Sequence, residues 1–210
     1  MTETAVLALA TFFATIGPLD VAAMFAALTA NHTAKQKRSL AIRGSLIGTV
    51  ILVTFALIGE FLLAGLGISL AALRIAGGIL LLLIGIEMVF ARTSGGTSTT
   101  GEEEQEALAK PDISVFPLAT PLIAGPGAMG AAILLMANQE GNITGQAIIV
   151  ASLLVILLLT FFSLLLAGKI QHLLGVTGMH VITRVMGVLL SALAVQFMID
   201  GISQSGLVGS

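Results

Sequence analysis

Six apolar runs separated by short polar stretches set the frame of this chain. Four are uninterrupted: Leu46 to Leu66, Leu70 to Phe90, Ile148 to Gly168 and Val181 to Ile202. Each is long enough to cross a bilayer as a helix. Two more, Thr4 to Thr29 and Val115 to Ala137, are equally apolar but carry proline and glycine. The pattern predicts an all-α membrane protein: six transmembrane helices in a single membrane domain over residues 1–210, with no soluble domain.

The pattern also occurs twice. Arg74-Ile-Ala-Gly77 returns 110 residues later as Arg184-Val-Met-Gly187, and Gly17-Pro18 returns 108 residues later as Gly125-Pro126. Leu63-Ala64-Gly65 returns as Leu166-Ala167-Gly168. The chain therefore divides into repeat 1 (residues 1–92), a linker (residues 93–111) and repeat 2 (residues 112–210). Three spans is an odd number, so repeat 2 enters the membrane from the side opposite to repeat 1. Two inverted three-helix repeats whose first and fourth helices are discontinuous form the pattern of secondary transporters, with the substrate held where the breaks meet.

Composition agrees with a bilayer environment. The chain is 57% hydrophobic and 10% charged, with a mean hydropathy of +1.08, whereas soluble domains are about 25% charged. A net charge of −2 offers no basic face for nucleic acid. With no cysteine there is no disulfide, thiolate metal site or cysteine nucleophile. The Met1-Thr-Glu-Thr start lacks the basic segment of a signal peptide, so the first run is expected to remain as a span.

Lys35, Lys37, Arg38 and Arg43 follow the first span, Arg92 and Lys110 the third, and Lys169 the fifth. Cytoplasmic connections collect Lys and Arg. Both termini are therefore expected outside the cell, in a multi-pass protein of the plasma membrane. The 93–111 connection, with Gly95-Gly-Thr-Ser-Thr-Thr-Gly and Glu102-Glu-Glu-Gln-Glu106, reads as a flexible cytoplasmic linker. Turns are expected at Leu66–Ser69 and Gly175–Gly178.

Proline inside a helix removes a donor and clashes with the carbonyl four residues back. Pro18 is expected to free Ala14, Pro126 to free Leu122, and Pro121 to free Pro117. Each run then reads as two half-helices: Thr4–Thr15 with Leu19–Thr29, and Val115–Ile123 with Gly127–Ala137. The second half-helix presents unpaired N–H groups suited to a carboxylate, while carbonyls of the first suit an ammonium group or a cation. The candidate binding residues are Ala14, Thr15, Gly17, Pro18 and Asp20 at the first break. At the second they are Thr120, Pro121, Leu122, Ile123, Gly125, Pro126, Gly127 and Ala128. Simple kinks are the alternative reading, because Pro and Gly are common in transmembrane helices.

The breaks are unequal, because Asp20 stands where repeat 2 has Ala128. The Gly125–Ala128 amides are expected to receive a carboxylate. Asp20 either attracts an ammonium group or carries a coupling proton; the alternative is that it caps its own helix. Thr11 joins Thr15 and Thr120 as a hydroxyl beside a break, and Arg74, Arg184, Glu60, Glu87, Gln196 and Asp200 are further polar groups in or near spans. Arg74 and Arg184 read first as snorkelling or as ties to a loop carbonyl. His32, His172 and His180 read as interfacial. Neither a metal motif nor a nucleotide loop nor a serine elbow is present, so the chain is expected to be no enzyme and to hold no metal or cofactor.

Three strings carry a family resemblance: Gly67-Ile-Ser-Leu-Ala-Ala-Leu-Arg74-Ile-Ala-Gly-Gly78, Phe116-Pro-Leu-Ala-Thr-Pro-Leu-Ile-Ala-Gly125-Pro-Gly127, and Arg184-Val-Met-Gly187 with Val195-Gln-Phe-Met-Ile-Asp-Gly201. In these the chain resembles the MarC family of integral membrane proteins over essentially its whole length. The resemblance implies six spans and, in some members, transport of small neutral amino acids such as glycine or alanine, with the site at two discontinuous helices. The first break in that family usually reads Asn-Pro, where this chain has Gly17-Pro18. Proton or sodium coupling is compatible with the reading, and so is an oligomer; a channel, an exporter of other small solutes and a non-transporting membrane scaffold are the rivals.

Overall fold

A computed structural model describes residues 1–90 and 112–205, and among these there are helices and no strands. The order is α1 (Thr2–Ile16), α2 (Pro18–Leu28), α3 (Ala34–Gly65), α4 (Leu70–Phe90), α5 (Ser114–Ile123), α6 (Pro126–Ala137), α7 (Ile143–Leu165) and α8 (Ala167–Gln204). Five stretches are long and apolar enough to cross a membrane: Thr2–Leu28, Ala34–Gly59, Leu70–Phe90, Ile143–Leu165 and Val181–Gln204. A sixth is formed if α5 and α6, bent by 53° at their junction, are counted as one. The linker expected at 93–111, with its acidic run, Arg92 and Lys110, lies outside the described residues, as do the side chains of Glu60, His172 and His180.

Local chemistry sets the helix limits. Thr33 and Gln36 form a capping box that starts α3 at Ala34, ahead of the apolar run: Gln36 N–H donates to Thr33 Oγ1 at 3.4 Å and Thr33 N–H to Gln36 Oε1 at 2.8 Å. Gly67 (φ 68°) carries the turn after α3, and Ser69 Oγ accepts from Ala72 N–H to open α4. The second expected turn differs. The chain re-enters helix at Ala167, and Gly175 (φ 59°, ψ −179°) is a kink inside α8 rather than a loop.

The largest departure from the sequence reading is α5. Val115–Ile123 is not a regular half-helix, because Phe116 and Thr120 are extended (φ −128° and −134°) and the Phe116–Pro117 and Thr120–Pro121 bonds are cis. A residue before proline is pushed out of the helical region, and here two such pairs fall four residues apart. Wide backbone bonds, Leu118 N–H to Ile113 O and Ala124 N–H to Ala119 O, hold the segment together. At its start, Ser114 N–H donates to Asp112 Oδ1 at 2.9 Å, and Arg43 of α3 bridges Asp112 Oδ2 at 3.4 Å. Hydrogen bonding from Ser114, side chain and then backbone, holds the Asp112 carboxyl below the usual carboxylate range, with Arg43 acting in the same direction.

The packing has an exchange pattern. The α1–α2 run packs on α7, and the α5–α6 run packs on α3. Next, α6 lies against α4, while α2 and part of α1 lie against α8. The most extensive contact is α4 with α8. Large apolar side chains such as Val50, Leu57, Phe61, Val155, Leu158 and Phe162 point outward, where a soluble protein would be polar. The interior holds many small ones, among them Ala8, Ala22, Ala41, Ala131 and Ala132.

The α4–α8 contact is made through glycine. A Cβ on Gly85 would lie 2.3 Å from Ser191 Oγ and 2.9 Å from Gly187 O; one on Gly187 would lie 2.8 Å from Gly85 O. Gly78 faces Ala194 O at 2.7 Å, and Gly201 faces Ala71 O at 2.9 Å. Successive pairs along α4 meet residues progressively earlier on α8, so the two helices run antiparallel with their backbones in contact. Each carries one arginine and one acid: Arg74 and Glu87 on α4, Arg184 and Asp200 on the apolar part of α8.

Gly187→Ala is expected to cost about 1–3 kcal/mol of unfolding free energy in micelles. Gly130→Ala is the control, because a Cβ there meets nothing within 4 Å, and it is expected to hold or raise the melting temperature. At the breaks, Gly17→Ala forces alanine to φ 60° and is expected to cost about 1–2 kcal/mol. Gly125, at φ −78° and ψ 165°, carries no such backbone requirement, so Gly125→Ala is expected to cost less than Gly17→Ala.

Candidate functional site

The first break is a single left-handed residue. Gly17 (φ 60°, ψ 63°) ends α1 and caps α2, with Gly17 N–H donating to Phe13 O at 3.0 Å and Val21 N–H to Gly17 O at 2.9 Å. Pro18 occupies the first position of α2, where its missing N–H costs nothing. Gly17 has no side chain to cap the amides that follow. The helix start is therefore open, and Asp20 sits in its first turn.

Asp20 is exposed and turned back toward the break: its Oδ2 lies 3.2 Å from where a Gly17 Cβ would be. Its Oδ1 accepts from Thr183 Oγ1 of α8 at 2.6 Å. A hydroxyl bond to a carboxylate is charge-assisted and stronger than a neutral one. A pocket of about 210 Å³, counted to its mouth, surrounds this pair and is lined by Phe13, Gly17, Pro18, Leu19, Asp20, Met88, Ile182 and Met186. Its inner space holds about one water molecule. An amino acid fits only if the walls move.

The second break is built differently and is sealed. Gly125, Gly127 and Ala128 are buried, and no side chain caps the start of α6. Gly127 faces the end of the Ile84 side chain of α4, whose terminal methyl would have to turn aside for a Cβ there. Pro126 is exposed, and Met129 N–H donates to Gly125 O at 3.0 Å. Leu122 and Ile123 are buried in the core, with Gly48 of α3 packed on Ile123. Pro121 is half-buried.

Of the expected binding residues, the pocket gathers Gly17, Pro18 and Asp20. Ala14 and Thr15 are buried one turn before it, and residues 120–128 do not line it. The two runs do touch, α1 against α6 and α2 against α5. The threonine hydroxyls are turned to local backbone: Thr15 Oγ1 donates to Thr11 O at 2.8 Å and Thr120 Oγ1 to Val115 O at 3.3 Å. Thr11 is buried with its own hydroxyl unpartnered among the described residues.

Two residues stand out that the sequence did not mark. Thr183 is the partner of Asp20. Asn138, at the end of α6, is the partner of Arg74, whose Nε donates to Asn138 Oδ1 at 2.7 Å and whose Nη2 reaches the same oxygen. Arg74 is 91% buried, held by a side-chain amide rather than by a loop carbonyl. Gln196 Nε2 donates to Asp200 Oδ1 at 2.8 Å within α8.

Comparison with known proteins places these features in a family. The family model described as MarC family integral membrane protein matches residues 2–205. The UPF0056 membrane protein of Methanocaldococcus jannaschii is 36% identical over 94% of this chain and 95% of its own. YvbG of Bacillus subtilis is 34% identical over 94% of this chain and 90% of its own. The inner membrane protein YhgN of Escherichia coli is 34% identical over 88% and 89%. No solved structure matches the chain. With these helices and this match across nearly its full length, the chain belongs to the MarC family of integral membrane proteins.

Proposed function

We propose that this protein is a secondary transporter of small neutral amino acids, of the glycine and alanine class, that works by alternating access between two inverted three-helix halves. The observation that carries the reading is the exchange pattern of the packing. Swapping the halves turns α1–α2 on α7 into α5–α6 on α3, and α6 on α4 into α2 on α8, while α4 with α8 maps onto itself. Two inverted repeats around a twofold axis in the membrane plane have this property, and transporters of that architecture bind substrate beside interrupted helices.

The pocket beside Gly17-Pro18 supplies the chemistry. Asp20 in this pocket offers a carboxylate to an ammonium group, while the uncapped Gly125–Ala128 turn, buried outside the pocket, suits a carboxylate only once the walls move. The pocket's cramped inner space, closed in by Phe13, Leu19, Met88, Ile182 and Met186, favours a small solute. A proton carried by Asp20 is the coupling route this geometry suggests. Exposed Lys35, Arg38 and Arg43 at the start of α3 favour a cytoplasmic position for that end, in a plasma-membrane protein with both termini outside.

The test is uptake of labelled glycine into proteoliposomes under imposed pH or sodium gradients, with counterflow to separate a carrier from a channel. The expected result is saturable uptake, competed by alanine and accelerated by unlabelled substrate on the far side. Asp20→Asn is expected to abolish the response to a pH gradient. Thr183→Val removes a charge-assisted bond and is expected to lower uptake about tenfold, with Thr183→Ser restoring it. Uptake without saturation or counterflow defeats the carrier, and an unchanged pH response in Asp20→Asn removes Asp20 from coupling.

A further inference from the structure

The two halves repeat in sequence but are packed in different registers. Arg74 and Arg184 are equivalent, so the counterpart of Thr183 is Leu73; Pro18 and Pro126 are equivalent, so the counterpart of Asp20 is Ala128. In one half Thr183 meets Asp20, two residues past Pro18. In the other, Arg74 meets Asn138, twelve residues past Pro126. The neighbouring contacts agree: Gly77 lies beside Leu134 and Ile84 beside Gly127, whereas Ile182 and Met186 share a pocket with Gly17 and Pro18. The equivalent interfaces are about ten residues out of step, which is about 15 Å along a helix.

The two registers are not independent. Because α4 and α8 are antiparallel and locked backbone to backbone through Gly78, Gly85, Gly187 and Gly201, they move as one body. A displacement that raises Arg74 to the far end of α6 also draws Thr183 up to the first turn of α2. Both halves thus report one displacement in one direction. Resting on the carrier reading above, we infer that α4 and the apolar part of α8 slide as a unit along the breaks, and that the opposite state has the registers exchanged. In that state Leu73 reaches Ala128, and Arg74 leaves Asn138.

Arg184 then comes to the end of α2, where the sequence has a matching acceptor. Leu28-Thr-Ala-Asn31 at the end of α2 parallels Leu135-Met-Ala-Asn138 at the end of α6, one residue further from its proline. Arg184 and Asn31 are both exposed, and neither makes a side-chain hydrogen bond among the described residues. Arg74–Asn138 is the closed latch of one state, and Arg184–Asn31 is the closed latch of the other. A guanidinium–amide bond formed in only one state biases a two-state equilibrium by about tenfold.

The absence of cysteine makes the test direct. Paired cysteines at Leu19 and Ile182 probe the present register, and pairs at Leu73 and Ala128 and at Asn31 and Arg184 probe the exchanged one. Full-length protein in liposomes is treated with copper phenanthroline, and the folding of each variant is checked by its melting curve. A disulfide needs Cα atoms within about 7 Å, so the Leu73–Ala128 pair cannot close at a ten-residue offset. All three pairs are expected to cross-link, with Arg74→Ala speeding closure of Leu73–Ala128 about tenfold. The Asn31–Arg184 pair stands as the second reporter if cysteine at buried Ala128 disrupts folding. Full cross-linking at Leu19–Ile182 with none at either exchanged pair overturns the slide. Cross-linking in both registers without glycine uptake keeps the slide and removes the amino-acid assignment; uptake without exchanged cross-links does the reverse.

Discussion

The contact between α4 and α8 is the constraint on which the rest of the architecture depends. Within a bilayer, lipid tails are as apolar as leucine, so helices gain nothing by simply burying hydrocarbon against each other. Association has to come from closer packing than lipid can offer. Gly85 and Gly187 provide it by letting each backbone rest on the other, with carbonyl oxygens at distances a methyl group would violate. Such closeness also permits weak Cα–H···O contacts along the seam. Around this spine the α1–α2 and α5–α6 runs are placed crosswise, each held by the long helix of the opposite half.

That crosswise arrangement explains why the interrupted runs survive in an apolar medium. Backbone groups freed at proline cannot be left facing lipid. At the first break a left-handed glycine keeps the hydrogen-bond chain nearly unbroken on both sides. At the second, the wide-turn bonds of α5 and burial against α3 serve instead, with Gly44 and Gly48 admitting Leu118 and Ile123. The same problem has two solutions. Only the first leaves a polar group, Asp20, next to open space.

Much of this was legible in the sequence. The α4 limits, Leu70 and Phe90, follow from an unbroken apolar run preceded by a glycine turn. Hydropathy could not find the first turns of α3, which are polar and lie outside the apolar windows, or the Ala167 start of α8, which falls inside the apolar window Ile148 to Gly168. The irregular course of α5 had its signal in Phe116-Pro117 and Thr120-Pro121, since each preceding residue is driven to extended backbone; proline spacing alone suggested a plain half-helix. Asp20 was marked as the odd residue between the repeats, but Thr183 was not. Nothing local to either residue announces a pairing across 163 positions. Arg74 reads from sequence as snorkelling or as a tie to a loop carbonyl, and the Asn138 side chain it meets could be found only by knowing that α6 ends beside it.

The charges carried by the α4–α8 pair have an electrical consequence. Arg74 and Arg184 are balanced by Glu87 and Asp200, so the apolar parts of the pair are formally neutral. A membrane voltage does work only on net charge displaced along its field, about 2.3 kcal/mol per elementary charge per 100 mV. Translating this pair therefore adds no net current of its own. On the carrier proposed above, any dependence of turnover on membrane potential then belongs to charges outside this pair.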